Sequence, residues 1–347
     1  MLKKVIVLVA AIALFLTIFV GCSGKVSNEV KSTQQQAETK STEAASEKPF
    51  KDLTIRFFCG GDEGDMFATV VYNGAKAAQR DLGCKVDYVF SGWSAEKMTQ
   101  QLREAIAAKP NGISMMGHPG DTALMPLVEE AQKNGIKITI VNVDCPEVMA
   151  KYNTGYIGAF IEQFGYRLGK KAIEKFGIKK GDTVIIDGNW GEPGLEKRDV
   201  GVAKAFEEIG ANIVKIKHPM EAATNTDLFQ PQVVAAVQAN PDVKLISYSG
   251  GQFLGASTAY MQSMNKKPGE IKNIGFDITP QIIEGFKKGY VSLTIDQEPY
   301  LQGYLPILSL CNSIKYGFNL MTVDTGVGFV DETNYKEVEV LANQGIR

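Results

Sequence analysis

The chain has 347 residues and a net charge of −2, with 37 basic residues, 39 acidic residues and no basic run, which argues against nucleic acid as a partner. With 44% hydrophobic residues, it is long enough for one large domain or two lobes with their own cores. Its two histidines give little material for a His-based metal site or triad, and no CxxC or other metal-ligating spacing occurs among Cys59, Cys84, Cys145 and Cys311.

Lys3 and Lys4 precede a near-unbroken apolar run over residues 5–20. The run is shorter than the ~20 residues a spanning helix needs and fits the core of a secretory signal. Gly21 before Cys22 resembles a bacterial lipobox, although Phe19 stands where Leu is usual. Residues 1–21 are therefore read as a signal peptide and Cys22 as the lipidated first residue of the mature chain, against the competing reading of a retained anchor with an incidental cysteine. Loss of Lys3 and Lys4 with that segment takes the net charge to −4. Residues 22–49 follow, rich in Ser, Thr, Gln, Lys, Glu and Ala; too apolar-poor to offset chain entropy, they read as a flexible tether between lipid and domain.

From Leu53 the pattern alternates. Strands are expected at 53–58, 85–90, 112–116 and 136–143, with helices at 67–82, 95–108 and 122–134 between them. Gly83 and Gly135 supply C-caps, and Pro110 stops the second helix. A second half repeats the rhythm, with helices at 161–176, 195–209, 231–239, 253–264 and 280–287. Its strands are expected at 183–186, 213–216, 243–248, 271–276 and 291–295. Several strands are apolar on both faces, as covered parallel strands must be. The halves echo each other. A helix end that runs from Ala105 through Pro110 to Asn111 opens one strand, and a similar one from Ala236 through Pro241 to Asp242 opens another. The next strand in each half ends in Asp, at Asp144 and Asp277. The expectation is an α/β fold of two similar doubly wound lobes.

In open α/β sheets ligands sit beyond the carboxyl ends of the strands. Those positions here are polar and glycine-rich: Gly60-Gly61-Asp62-Glu63-Gly64-Asp65, Ser91-Gly92-Trp93, Gly117-His118-Pro119 and Asn142-Val143-Asp144 in the first half. The second half offers Asp187-Gly188-Asn189-Trp190, Ser249-Gly250-Gly251-Gln252, Asp277 and Asp296-Gln297-Glu298. Carboxylates, amides and rings are the groups a neutral polyhydroxylated ligand needs. Each also has a structural reading. Asp144 and Asp277 serve as ligand contacts or helix caps, Phe67 as core or pocket, Trp93 and Trp190 as surface or cleft rings, His118 as a ligand contact or turn residue, and Arg198 as a ligand fork or a solvated ion-pair partner. His218 reads as structural. There is no GxxxxGK[ST], GxGxxG at the first strand, HExxH or GxSxG, so binding is favoured over catalysis.

From about Leu53 onward the chain resembles the type I periplasmic binding proteins of the ribose/galactose class. The landmarks are Asn73-Gly74-Ala75, Pro110-Asn111-Gly112-Ile113, Asn142-Val143-Asp144, Asn240-Pro241-Asp242-Val243, Ile274-Gly275-Phe276-Asp277 and Thr294-Ile295-Asp296-Gln297. The resemblance implies two lobes joined by three crossovers, residues 50–157 plus 298–322 and residues 158–297 plus 323–347, with ligand clamped between them. It implies sugar contacts at Asp65, Phe67, Asp144, Arg198, Asp277 and Gln297, and turns Phe67 from core to stacking ring. Cys145 replaces an Arg, Ala68 replaces a second ring, and Gly250 replaces an Asn for which Gln252 can substitute. The ligand implied is thus a sugar other than ribose, a polyol such as inositol, or a furanosyl signal. With His118 and Trp190 from the strand-end reading, this completes the expected site. The expectation is a monomeric extracytoplasmic lipoprotein, without cofactor or metal, that serves the permease of an ABC importer. Its rivals are a ligand sensor for a chemoreceptor or kinase and a carbohydrate-processing enzyme.

Overall fold

A computed structural model describes residues 48–192 and 196–347; the expected signal segment, Cys22 and all but the last two residues of the expected tether lie outside them. The first lobe runs β1 (Thr54–Gly60), α1 (Met66–Leu82), β2 (Lys85–Phe90), α2 (Ala95–Ala107), β3 (Gly112–Met116), α3 (Gly120–Lys133), β4 (Lys137–Val141), α4 (Pro146–Tyr152) and β5 (Tyr156–Gly158). The second runs α5 (Ile161–Phe176), β6 (Thr183–Asp187), α6 (Lys197–Glu208), β7 (Asn212–Ile216), α7 (Gln230–Ala239), β8 (Leu245–Ser247), α8 (Gly251–Ser263), β9 (Lys272–Phe276), α9 (Pro280–Lys287) and β10 (Val291–Asp296). The chain then returns to the first lobe for α10 (Pro299–Tyr316) and β11 (Thr322–Asp324), and ends in the second with β12 (Gly328–Val330) and α11 (Tyr335–Asn343).

Each lobe holds a six-stranded sheet, ordered β11-β5-β4-β3-β1-β2 and β12-β10-β9-β8-β6-β7. Every pairing is parallel except that of β10 with β12. The chain passes between sheets after β5, after β10 and after β11. Strands β3 and β6 are buried at every residue, which their apolar sequences require when helices cover both faces. Local signals set the helix ends: Asp65 caps α1 by accepting from the Ala68 N–H, Gly83 ends it in the left-handed region, and Thr279 caps α9 through the Ile282 N–H.

Two helix pairs cross closely, one in each lobe. A Cβ on Gly74 of α1 would lie 2.0 Å from the Tyr300 carbonyl of α10, and one on Gly303 of α10 would lie 1.9 Å from the Val71 carbonyl. In the second lobe a Cβ on Gly165 of α5 would lie 1.9 Å from the Arg198 carbonyl of α6. Glycine is therefore what lets these backbones touch.

The short elements α4, β5, β11 and β12, together with α10 and α11, add to the alternation expected from sequence. Strand β4 ends at Val141, before the expected 143, because Asn142 turns to φ 68° while its N–H still donates to the Ile157 carbonyl of β5. Among the described residues all four cysteines are buried free thiols, and no helix is long and apolar enough to cross a membrane.

Candidate functional site

The carboxyl ends of both sheets carry the polar residues singled out from sequence. On the first lobe each Asp65 oxygen has a local partner: Oδ1 accepts from the Ala68 N–H at 2.8 Å and Oδ2 from the Trp93 indole N–H at 3.1 Å. Trp93, at φ 58°, lies over Gly60 and Gly61, where a Cβ would come within 2.3 and 2.8 Å of its ring. Its ring meets Phe67 at 5.8 Å and His118 at 5.2 Å between centroids, so three rings from three strand-end segments form one wall. Phe67 is half-buried in that wall. His118 Nδ1 is buried without a hydrogen-bond partner among the described residues. Burial, followed by the positive charge of Arg198 from the opposite lobe, pushes the imidazole down to about 4, so near neutral pH it is an uncharged ring with an unpaired nitrogen. Asp144 is half-buried beside this wall, its Oδ1 accepting from the Ile161 N–H at 3.5 Å. Next to it the Cys145 thiol donates to the Gly117 carbonyl at 3.3 Å, and burial pushes that thiol up to about 12.

The second lobe presents Arg198 near the start of α6, its backbone held by the close approach of Gly165. Nη2 donates to the Ser249 carbonyl, and the guanidinium carbon lies 4.3 Å from the centre of the Phe276 ring. Nε is buried and unpartnered among the described residues. The adjacent Asp199 is 1% exposed; its Oδ2 accepts from the Asn189 N–H at 3.0 Å and its Oδ1 has no partner among the described residues. Burial raises Asp199 to about 7, with the Arg198 charge and the Asn189 N–H opposing the rise. Asp277 follows β9 at φ 68° and accepts from the Gln297 side chain at 2.7 Å. Burial raises its pKa too; Arg198 and Gln297 pull it back, and the carboxylate of Asp65 on the opposite lobe adds to the rise. These cross-lobe influences bring Asp65, His118, Arg198 and Asp277 around one cleft.

Gln252 and Trp190 sit differently. The Gln252 amide folds back toward its own Gly250, where a Cβ would lie 2.6 Å from Oε1. The Trp190 indole N–H donates to the Ile216 carbonyl at 3.0 Å and its ring carries Lys215 at 4.4 Å, so it is spent on its own lobe.

Gln297 lies in the second crossover and joins the two lobes. Its side chain donates to Asp277 and accepts from the Asn142 amide at 3.2 Å. Asn142 also donates to Gln302 Oε1 at 2.9 Å; Gln302 in turn donates to the Gln297 carbonyl at 2.8 Å and to Thr325 Oγ at 3.2 Å, in the third crossover. The Tyr156 hydroxyl contacts the Asn142 and Ala159 carbonyls at 2.7 and 2.6 Å, which adds the first crossover. Sequence comparison of the halves pairs Asp144 with Asp277; the structure corrects this. Asn142 and Asp277 are the equivalent residues, each directly after its strand, each at φ 68°, each donating its N–H to the neighbouring strand, at Ile157 and Ile295. Asp144 lies two residues further on, just ahead of α4. The signal for Asn142 was its residue type, since Asn tolerates positive φ better than the Val and Ile around it. Ser249 is marked by its strand-end position, whereas Asp199 and Gln302 give no comparable signal.

A family model for the periplasmic binding protein domain matches residues 57–317. The chain is 24% identical to the xylose/arabinose-binding protein of Sulfolobus acidocaldarius over 73% of its own length; that alignment spans 65% of the relative, less than two thirds. It is 26% identical to the D-allose-binding periplasmic protein of Escherichia coli, over 65% of this chain and 73% of that one. Among solved structures, a carbohydrate transporter from Acidothermus cellulolyticus in complex with myo-inositol superimposes with a TM-score of 0.73 at 24% identity, covering 85% of this chain and 99% of that one. A solute-binding protein from Burkholderia graminis in complex with D-arabinose gives a TM-score of 0.71 at 22% identity, covering 83% and 98%.

Proposed function

The chain belongs to the periplasmic binding protein family, and from that premise we propose that it captures a sugar or polyol between its lobes and delivers it to the permease of an ABC importer. Membership places it among binding proteins rather than enzymes. The observation that carries the ligand class is the pair of buried nitrogens without a partner among the described residues, His118 Nδ1 on one lobe and Arg198 Nε on the other, beside a wall of three rings. A hydroxyl both donates and accepts, so it satisfies an imidazole nitrogen and a guanidinium N–H alike, while a sugar's C–H face covers the rings. The relatives named for xylose and arabinose and for D-allose support that class, as does the similarly folded carbohydrate transporter in complex with myo-inositol. A ligand touching both walls favours the closed arrangement, and Gln297 links it to the crossovers, so occupancy is reported as lobe closure. The protein acts as a monomer, held outside the cytoplasm by a lipid on Cys22.

The test is a thermal-shift series with D-xylose, L-arabinose, D-arabinose, D-allose, D-galactose and myo-inositol, with nucleosides and amino acids as controls. A ligand that binds only the folded state raises the melting temperature by mass action. The expected result is a rise with one or more sugars or polyols that is lost in Asp277→Ala. A rise with amino acids alone would overturn the ligand class. For the anchor, Cys22→Ala is expected to move the protein from the membrane fraction to the soluble fraction of a bacterial host.

A further inference from the structure

Behind the second-lobe wall lies a buried polar cluster that ligand contact does not account for. Asp187 closes β6, His218 follows β7 and Ser249 follows β8, three neighbouring strands of one sheet. The three residues are 1%, 7% and 3% exposed. His218 Nδ1 lies 2.8 Å from Asp187 Oδ1, and a carboxylate oxygen accepts, so Nδ1 is the donor. Asp187 Oδ2 accepts from both the Ser249 N–H at 3.0 Å and the Ser249 hydroxyl at 2.7 Å. The imidazole is itself fixed between rings, 4.4 Å from Phe253 and 5.8 Å from Phe229. Such a group is costly to desolvate, and an apolar trio of similar volume would often be at least as stable. What the cluster does accomplish is visible one peptide unit away: it holds Ser249 at both N–H and hydroxyl, and the carbonyl of that same residue receives Arg198 Nη2.

We propose that Asp187, His218 and Ser249 are positioning residues for Arg198. Asp187 gathers the ends of three strands onto one carboxylate, and His218 locks that carboxylate's rotation. The fixed Ser249 carbonyl then orients the guanidinium on the Phe276 ring, leaving Nε for the ligand. None of the three needs to touch ligand. The inference rests on Arg198 being a ligand contact, as proposed above.

Two measurements test it, one of them free of ligand. Phenylglyoxal modification of Arg198 in the whole protein, followed by peptide mass spectrometry, is expected to run several-fold faster in Asp187→Asn than in the parent. Ser249→Ala, which keeps the peptide N–H bond to Asp187, carries the same test should Asp187→Asn fail to fold. An unchanged rate in a folded variant overturns the proposal. The second measurement is a double-mutant cycle read by calorimetry with D-allose, or with whichever sugar or polyol of the series binds the parent. Asp187→Asn is expected to weaken binding by about tenfold in the parent, and by less than about twofold when Arg198→Lys is already present. Equal losses in both backgrounds would mean a merely structural cluster and would sink the idea. Should no sugar or polyol bind the parent, the proposed function fails, and the modification rate still decides the positioning role.

Discussion

The two walls of the cleft are built from the same strand-end positions but use different physics. On the first lobe the polar atoms of Asp65 are consumed locally by a helix cap and an indole, and what faces outward is chiefly ring surface: Phe67, Trp93 and His118. The second lobe carries more of the buried ionisable groups, with Arg198 over Phe276 and Asp199, Asp187 and His218 beneath. On the proposed reading the first wall chiefly sets shape, with His118 Nδ1 as its polar atom, and the second supplies the charged hydrogen bonding. Because an interaction between a charged group and a ligand is strengthened by low surrounding polarity, the second wall should dominate affinity.

The largest expected effect follows from that asymmetry. Arg198→Ala removes a charged donor and leaves the Ser249 carbonyl without its partner, so affinity for the bound sugar should fall by about 100-fold or more, on the scale of losing a buried charged hydrogen bond. Trp93→Phe removes only the N–H to Asp65 and part of the ring, and a loss under about tenfold is expected by calorimetry. If the two losses come out equal, the division of labour is wrong.

The helix crossings sharpen the same contrast. Gly74→Ala and Gly165→Ala each drive a methyl group into a backbone carbonyl, and each should destabilise by about 1–3 kcal/mol in a denaturant melt. Only Gly165 abuts the Arg198 carbonyl. Gly165→Ala should therefore also weaken sugar binding, by about tenfold if the guanidinium shifts, whereas Gly74→Ala should leave affinity near the parent value.

Most of the alternation was legible because it rests on local periodicity and on glycine or proline punctuation. Helices 161–176 and 280–287 fall where their apolar spacing placed them. Besides α4 and α11, what escaped was of two kinds. Strands β5, β11 and β12 have three residues each, too few for a period to show. Helix α10 has Pro306 inside it and is buried on much of its surface, so neither a clean stripe nor an unbroken helical composition marks it. At the site, residue type identified Asp277 and Arg198 as strand-end and helix-start polar groups, but not which polar atoms would be spent at home. The Trp190 indole goes to a carbonyl of its own lobe, and the Asn142 amide goes to Gln297 and Gln302, 155 and 160 residues away in sequence. Long-range partners of that kind have no local signature.

The smallest effect separates the walls by proton linkage. Asp199 on the second wall is raised from its ordinary 3.8 to about 7. Between those values the folded protein keeps a proton that the unfolded chain has released, so its contribution to stability is present at low pH and declines as pH rises toward 7. His118 on the first wall is lowered from 6.5 to about 4, so the unfolded chain binds the extra proton and stability grows as pH rises through the same interval. The two slopes oppose each other up to pH 6.5, above which only Asp199 remains. In melts at constant ionic strength, Asp199→Asn should therefore raise the melting temperature more at about pH 8 than at about pH 5, by on the order of 5 °C. His118→Gln should do the reverse, raising it at the acidic end relative to the alkaline end. Should both variants keep the parent's pH dependence, neither group is held in the desolvated state described, and the opposed pH slopes that separate the two walls are absent.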